Sequence, residues 1–79
     1  MTEREWRVKL SEIIKEKMAE HGINQTDLAK RVGVKQALVS RWCHAENTPT
    51  GWNLVKLCTV LDLDIKDITH WTVFDWQAR

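Results

Sequence analysis

The stretch that decides the fold is residues 24–42, NQTDLAKRVGVKQALVSRW. Gly33 divides it into two short segments, each with apolar residues at the spacing of a helix that buries one face. Those residues are Leu28, Ala29, Val32, Val34, Leu38, Val39 and Trp42. Asn24 suits an N-cap, and glycine suits the turn because it tolerates positive φ. We predict helices over residues 25–32 and 35–43, packed against one core.

The remaining side chains of this stretch are polar or basic. Gln25, Lys35, Gln36, Ser40 and Arg41 are left to point outward. Two helices joined by a tight turn, with an outward polar face on the second, form a helix-turn-helix whose second helix can enter a DNA major groove. The pattern therefore predicts sequence-specific binding of double-stranded DNA.

Further helices are expected on both sides of this pair. Thr2 and Glu5 form a capping-box pattern, and an apolar stripe then runs to Gly22. That stripe consists of Trp6, Leu10, Ile13, Ile14 and Met18. After Pro49, a fourth helix is expected from about Thr50 to Leu61, and Trp42 and Trp52 are both expected in the core. Asp64 can cap a fifth helix over residues 65–70.

The expected fold class is thus all-α, a bundle of five short helices with a C-terminal extension. Residues 1–70 form the predicted DNA-binding domain, and residues 71–79 form a tail. Apolar residues alternate at Trp71 and Val73, so the tail can be a short strand, an extended arm or a continuation of helix 5.

Composition limits the class of protein. The chain has 79 residues, of which 43% are hydrophobic and 29% charged, enough for one small domain. No apolar run is long enough to span a membrane, and the first residues lack a signal-peptide core, so we expect a cytoplasmic, nucleoid-associated protein. Net charge is only +1, but residues 1–45 hold nine of the twelve Lys and Arg residues. Positive charge is therefore concentrated around the predicted helix-turn-helix.

Cysteine and histidine residues give little reason to expect a metal site or catalysis. Cys43 and Cys58 are the two cysteines, and we expect free thiols, Cys43 at the surface and Cys58 buried as a small hydrophobe. The spacing of Cys43, His44, Cys58 and His70 matches no zinc motif. The chain also lacks a catalytic Ser or Cys set and a phosphate-binding glycine loop, so we expect no enzyme, no metal and no cofactor.

One motif extends beyond the helix-turn-helix and resembles a known family, the Cro and lambda-repressor type of DNA-binding domain. The matching residues are Gln25-x-x-Leu28-Ala29-x-x-x-Gly33-Val34-x-x-x-x-Val39-Ser40-x-Trp42, then Pro49 and Leu54-x-x-Leu57. The resemblance covers roughly Leu10 to Ile68. It implies an operator-binding transcriptional regulator.

The resemblance also implies roles for individual residues. The implied base contacts are Lys35, Gln36, Ala37, Ser40 and Arg41. The implied phosphate contacts are Asn24 and Gln25 at the start of helix 2, with Asn47 and Thr48 in the loop after helix 3. Two departures stand out. Ala45 occupies a position where the family usually has glycine, and the loop carries Glu46 and lacks Lys or Arg, so we expect a shallow salt dependence of binding.

The aromatic tail suggests how the chain assembles. Trp71, Val73, Phe74 and Trp76 either fold back on the small core or form a two-fold interface. We expect a homodimer, since symmetric half-sites need a symmetric protein. The alternatives are an antitoxin that uses the same domain, and a protein-interaction module that no longer binds DNA.

Overall fold

A computed structural model of the chain describes residues 2–64 and residue 66. It contains four helices in this part, α1 (Glu3–His21), α2 (Gln25–Val32), α3 (Gln36–Cys43) and α4 (Gly51–Val60). Every regular element described is a helix, which confirms the all-α class. The five-helix count is not confirmed, because the predicted fifth helix and the tail of residues 71–79 fall outside the described residues apart from Lys66.

Side-chain caps fix the starts of α1 and α2, and a glycine ends α1, as the sequence predicts. Thr2 Oγ1 accepts a hydrogen bond from the Glu5 backbone N–H at 3.2 Å. Asn24 Oδ1 accepts one from the Asp27 N–H at 2.8 Å. Gly22 ends α1 at φ 65°, and the following N–H of Ile23 reaches the Met18 carbonyl at 3.0 Å. These bonds satisfy backbone groups that a helix end leaves unpaired.

The starts of α3 and α4 differ slightly from expectation. Lys35 has extended φ and ψ, so α3 begins one residue later than predicted, at Gln36. Thr50 occupies the N-cap position of α4, but its side chain makes no capping hydrogen bond. Neither helix start is therefore fixed by a local side chain, and packing against the core must hold both in place.

One core joins the four helices. The largest fully buried side chains are Trp42, Leu10, Ile14, Leu28, Leu57, Leu61, Val32 and Val39. Helix α3 packs against both α1 and α2, and α4 packs against α2. The His21 ring also lies 3.0 Å from the Leu61 carbonyl oxygen, which links the end of α1 to the end of α4. The core therefore lies behind α2 and α3 and leaves their other faces to the surface.

The prediction that Trp52 belongs to the core is wrong. Its side chain is 69% exposed, and that of Val55 is 49% exposed. Leu57 is fully buried, and Leu54 packs against the core beside it. Because α4 carries apolar residues on nearly every side, its pattern did not show which face would be buried.

The prediction that Cys43 is a surface thiol is also wrong. Its side chain is only 4% exposed, and its Sγ lies 3.9 Å from Met18 Sδ on α1. Burial raises the pKa of the Cys43 thiol, opposed by the positive charge of Lys15 and a hydrogen bond from the Gln25 side chain. Cys58 is half-buried, and burial together with the Asp64 carboxylate raises its pKa. Both thiols are free, as expected.

Candidate nucleic-acid interface

The turn between α2 and α3 is fixed by backbone bonds. Gly33 adopts φ 83°, and the N–H groups of Gly33 and Val34 both donate to the Ala29 carbonyl, at 2.8 and 3.0 Å. Ala29 is itself buried, and its small side chain allows α3 to approach α2 closely. The result is two packed helices joined by a short turn, the arrangement of a helix-turn-helix.

Helix α3 is anchored by its inner face. Val39 and Trp42 are almost completely buried, at 0% and 1% exposure. The predicted base-contact positions occupy the other side, since Gln36 and Ser40, like Ala37 and Arg41, are four residues apart and share a helix face. This geometry presents a continuous outward strip on a helix that cannot easily rotate.

The five predicted base-contact residues differ in their exposure. Lys35, Gln36, Ala37 and Arg41 are exposed, and Ser40 is half-buried. His44 lies beside Ser40, with its Nδ1 2.7 Å from the Ser40 carbonyl oxygen and 3.4 Å from Ser40 Oγ. The Ser40 hydroxyl is therefore partly occupied within α3, whereas the other four side chains extend into solvent.

The structure places Asn24 and Gln25 together at the N-terminus of α2. Asn24 Oδ1 accepts the capping hydrogen bond, and the side-chain NH2 group of Asn24 is the donor that can reach a phosphate. Gln25 is half-buried, and one of its side-chain contacts is the Cys43 sulfur. Its amide nitrogen has two hydrogens, so one can point to the sulfur while the other points outward.

The loop after α3 contains the other two predicted phosphate contacts. Asn47 is exposed and its Oδ1 accepts from the Thr48 N–H at 2.9 Å, while Thr48 is half-buried. Ala45 adopts φ 57°, in the left-handed region that glycine prefers. The Glu46 N–H then returns to the Arg41 carbonyl at 2.9 Å. The loop thus needs positive φ at the position where the family usually has glycine.

Sequence reasoning missed one cation near this surface. Lys56 of α4 places its Nζ 3.7 Å from where a β-carbon on Gly33 would lie. The ammonium therefore stands beside the turn and near the C-terminal end of α2, where the helix dipole favours positive charge. No local pattern could have indicated this, because the contact joins residues 23 positions apart.

The remaining sequence predictions concern the tail, a metal site and a membrane span. Trp71, Val73, Phe74 and Trp76, the predicted dimer interface, lie outside the described residues. Within residues 2–64 and 66, no three His, Cys, Asp or Glu side chains group closely enough to hold a metal ion. None of the helices described there has the length and apolar character needed to cross a bilayer.

Comparison with known families agrees with this geometry. A family model described as the Cro/C1-type HTH DNA-binding domain matches residues 13–73, more than half of the chain. No curated protein and no solved structure matches the sequence. The match includes α2, the turn at Gly33, α3 and α4, which are the elements that build the outward face of α3. The chain therefore belongs to the family of Cro/C1-type helix-turn-helix DNA-binding domains.

Proposed function

We propose that this protein is a transcriptional regulator that binds a specific operator in double-stranded DNA as a homodimer. The observation that carries the proposal is the division of α3 into two faces. Val39 and Trp42 hold the inner face in the core, and the outer face exposes Gln36, Ala37 and Arg41. A helix anchored in this way can present side chains to base edges without losing its own packing.

The side chains of α3 make the proposed contacts with the bases. Arg41 can bond guanine at two atoms, and Gln36 can do the same with adenine. Lys35 is the N-cap residue of α3, and its side chain can reach either a base or a phosphate. Ser40 has the smallest expected contribution, because its hydroxyl already lies near His44.

The N-terminus of α2 and the loop after α3 make the proposed contacts with the DNA backbone. The N-terminus of α2 offers backbone N–H groups and a favourable dipole, and Gln25 adds an amide. Asn24, Asn47 and Thr48 are the remaining proposed phosphate contacts. Such contacts set the position of the protein on the duplex and leave the choice of sequence to α3.

Control of transcription follows from where the operator lies. A dimer bound over a promoter excludes the polymerase, which gives Cro-like repression. We propose that this requires neither a catalytic site nor a cofactor, and that the protein acts in the cytoplasm with the nucleoid. The proposed dimer uses the tail residues Trp71, Val73, Phe74 and Trp76.

The experiment that tests the function is selection of bound sites from a random duplex pool at moderate salt. Arg41→Ala is compared with Arg4→Ala, which removes the same charge from an exposed position on α1. We expect an enriched inverted repeat for the parent and for Arg4→Ala, and loss of enrichment for Arg41→Ala. If the folded parent enriches no sequence, the operator-binding proposal is wrong.

A protein partner is the second candidate function, either a toxin bound by an antitoxin or another interaction partner. Two observations favour it, the exposed pair Trp52 and Val55 on α4 and the near-neutral net charge. A co-encoded toxin gene would identify the antitoxin. In a module that no longer binds DNA, Arg41→Ala would leave the activity unchanged.

A further inference from the structure

One face of α4 is apolar and exposed over two turns. Trp52, Val55 and Thr59 lie three and four residues apart, so their side chains share this face, which we term the outer face of α4. All three are exposed, Trp52 by 69%. The Thr59 hydroxyl donates to the Val55 carbonyl at 3.0 Å, so the helix itself satisfies this polar group. The outer face of α4 therefore offers apolar surface without a charged side chain.

The other large apolar side chain exposed in the described residues has a different setting. Val8 on α1 is 40% exposed and shares a shallow hollow with Arg4, Glu5, Lys9 and Glu12. A single apolar residue among charges is ordinary at a protein surface, whereas neighbouring apolar residues without charges are typical of a contact surface. Within the described part of the chain, the outer face of α4 is thus the surface best suited to an apolar partner.

The same chain carries an apolar segment shortly after α4. Four of the residues 71–76 are large and apolar, namely Trp71, Val73, Phe74 and Trp76. Trp71 is seven positions after Asp64, and a chain of that length spans at most about 23 Å. Helix α4 has ten residues and is therefore only about 15 Å long. The segment can reach the outer face of α4 on its own chain or on a neighbouring copy.

The area available favours a second copy. Each copy contributes three aromatic residues from the tail, together with Trp52, and an aromatic side chain buries about 150–250 Å². Four of them supply roughly 600–1,000 Å² per copy, against about 800 Å² per partner in a stable interface. A tail that closed on its own α4 would cover the same surface. Only the isolated Val8 would then remain exposed among the large apolar side chains described, which is too little to hold a dimer.

We propose that residues 71–76 of one copy lie on the outer face of α4 of a second copy, and that the exchange is reciprocal. The inference rests on the homodimer proposed above and names the surface that receives the tail. A two-fold axis makes the two contacts identical, so Trp52 and Val55 of both copies are covered together. The exchange uses none of the side chains proposed to contact DNA, so both α3 helices stay available to the two half-sites.

The first test compares one substitution on two helices. Val55→Asp places a carboxylate in the proposed contact, and Val8→Asp places one at an exposed position inside α1. Analytical ultracentrifugation measures the dissociation constant of the dimer. We expect this constant to rise at least about tenfold for Val55→Asp, because an unpaired charge would be buried, and to stay unchanged for Val8→Asp. Circular dichroism and an unchanged affinity for a single half-site confirm that both variants fold and keep α3 intact.

The second test identifies what covers the outer face of α4. Val55→Cys and Val73→Cys are made in separate chains, each with Cys58→Ser, and one chain carries a tag that changes its mass. A short bismaleimide is added to the mixture, and the products are separated by mass. We expect a covalent heterodimer of the two chains, whereas Val8→Cys mixed with Val73→Cys should give none.

The outcomes separate this inference from the function on which it rests. A dimer that enriches no duplex would overturn operator binding and leave the exchange standing, whereas a monomeric parent would overturn the homodimer and the exchange together. If the parent is a dimer that selects an inverted repeat, and Val55→Asp leaves its mass unchanged, the exchange alone is wrong. The exchange is also overturned if a chain with both Val55→Cys and Val73→Cys cross-links only within itself, since its own tail is then the occupant.

Discussion

At the scale of single residues, two glutamines of the interface have different expected roles. Gln36 faces outward on α3, and Gln25 lies at the N-terminus of α2. Gln36→Ala should relax the preference at one base position and cost about 1–3 kcal/mol on the cognate site. Gln25→Ala should weaken all sequences roughly equally, because a phosphate contact carries no base information. Anisotropy titrations against the operator and its single-base variants measure both. A Gln36→Ala protein with unchanged preferences would show that Gln36 does not contact a base.

The buried Cys43 thiol leads to a second prediction at this scale. Since burial raises its pKa, the folded protein keeps the thiol proton at pH values where the unfolded chain releases it. This contribution to the free energy of unfolding is fully present below the unfolded pKa and is lost as pH rises through the folded pKa. Urea unfolding at a series of alkaline pH values should show this loss, and Cys43→Ala should show less of it.

The same burial predicts slow alkylation of the Cys43 thiol. Iodoacetamide should label Cys58 faster than Cys43 in the folded protein, and both equally once the chain is unfolded, because only the exposed thiolate reacts. Peptide mass spectrometry distinguishes the two sites. Rapid labelling of Cys43 in the folded state would contradict its burial against Met18.

At the scale of elements, the loop after α3 stores backbone strain. Ala45 adopts φ 57°, a conformation that costs a residue with a β-carbon roughly 1–2 kcal/mol. Ala45→Gly removes this strain but gives the unfolded chain more freedom, so we expect a net gain of up to about 1 kcal/mol. Ala19→Gly, inside α1, should instead cost about 1 kcal/mol. Urea denaturation measures the free energy of unfolding of both variants, provided that its slope against urea concentration is unchanged. Destabilisation by Ala45→Gly would show that the backbone of Ala45 is not strained.

At the scale of the whole molecule, charge distribution controls how binding depends on salt. The exposed Glu46 stands in the loop where phosphate contacts are proposed. Glu46→Lys should tighten binding to all duplexes and steepen the plot of log affinity against log salt by about one unit, because one more counterion is released. Glu12→Lys makes the same charge change on an exposed position of α1 and should leave the slope nearly unchanged. Equal slopes for both variants would place the loop away from the DNA.

Assembly is the other property of the whole molecule that can be tested. Deletion of residues 71–79 should produce monomers and weaken operator binding, because each half-site is then bound independently. Analytical ultracentrifugation of the full chain and of the truncated chain measures the mass of each. A dimer that survives the deletion would remove the tail from the interface.

The sequence by itself determined the parts of the fold that depend on local interactions. The bounds of α2, the cap at Asn24 and the turn at Gly33 all agree with prediction, because each depends on residues no more than five positions apart. The burial of Val39 and Trp42 was also predictable, since α3 has apolar residues on one face and polar residues on the other. The outward position of Gln36 and Arg41 follows from the same periodicity, whereas their role as base contacts is implied by the family resemblance.

Only the tertiary structure decided features that depend on neighbours distant in sequence. Helix α4 is apolar on nearly every side, and packing against α2 selected Leu57 for the core and left Trp52 outside. Cys43 is buried because Met18 of α1 lies against it. Hydrophobic residue type indicates that a side chain can be buried, whereas the position of the neighbouring helix decides which of several candidates is.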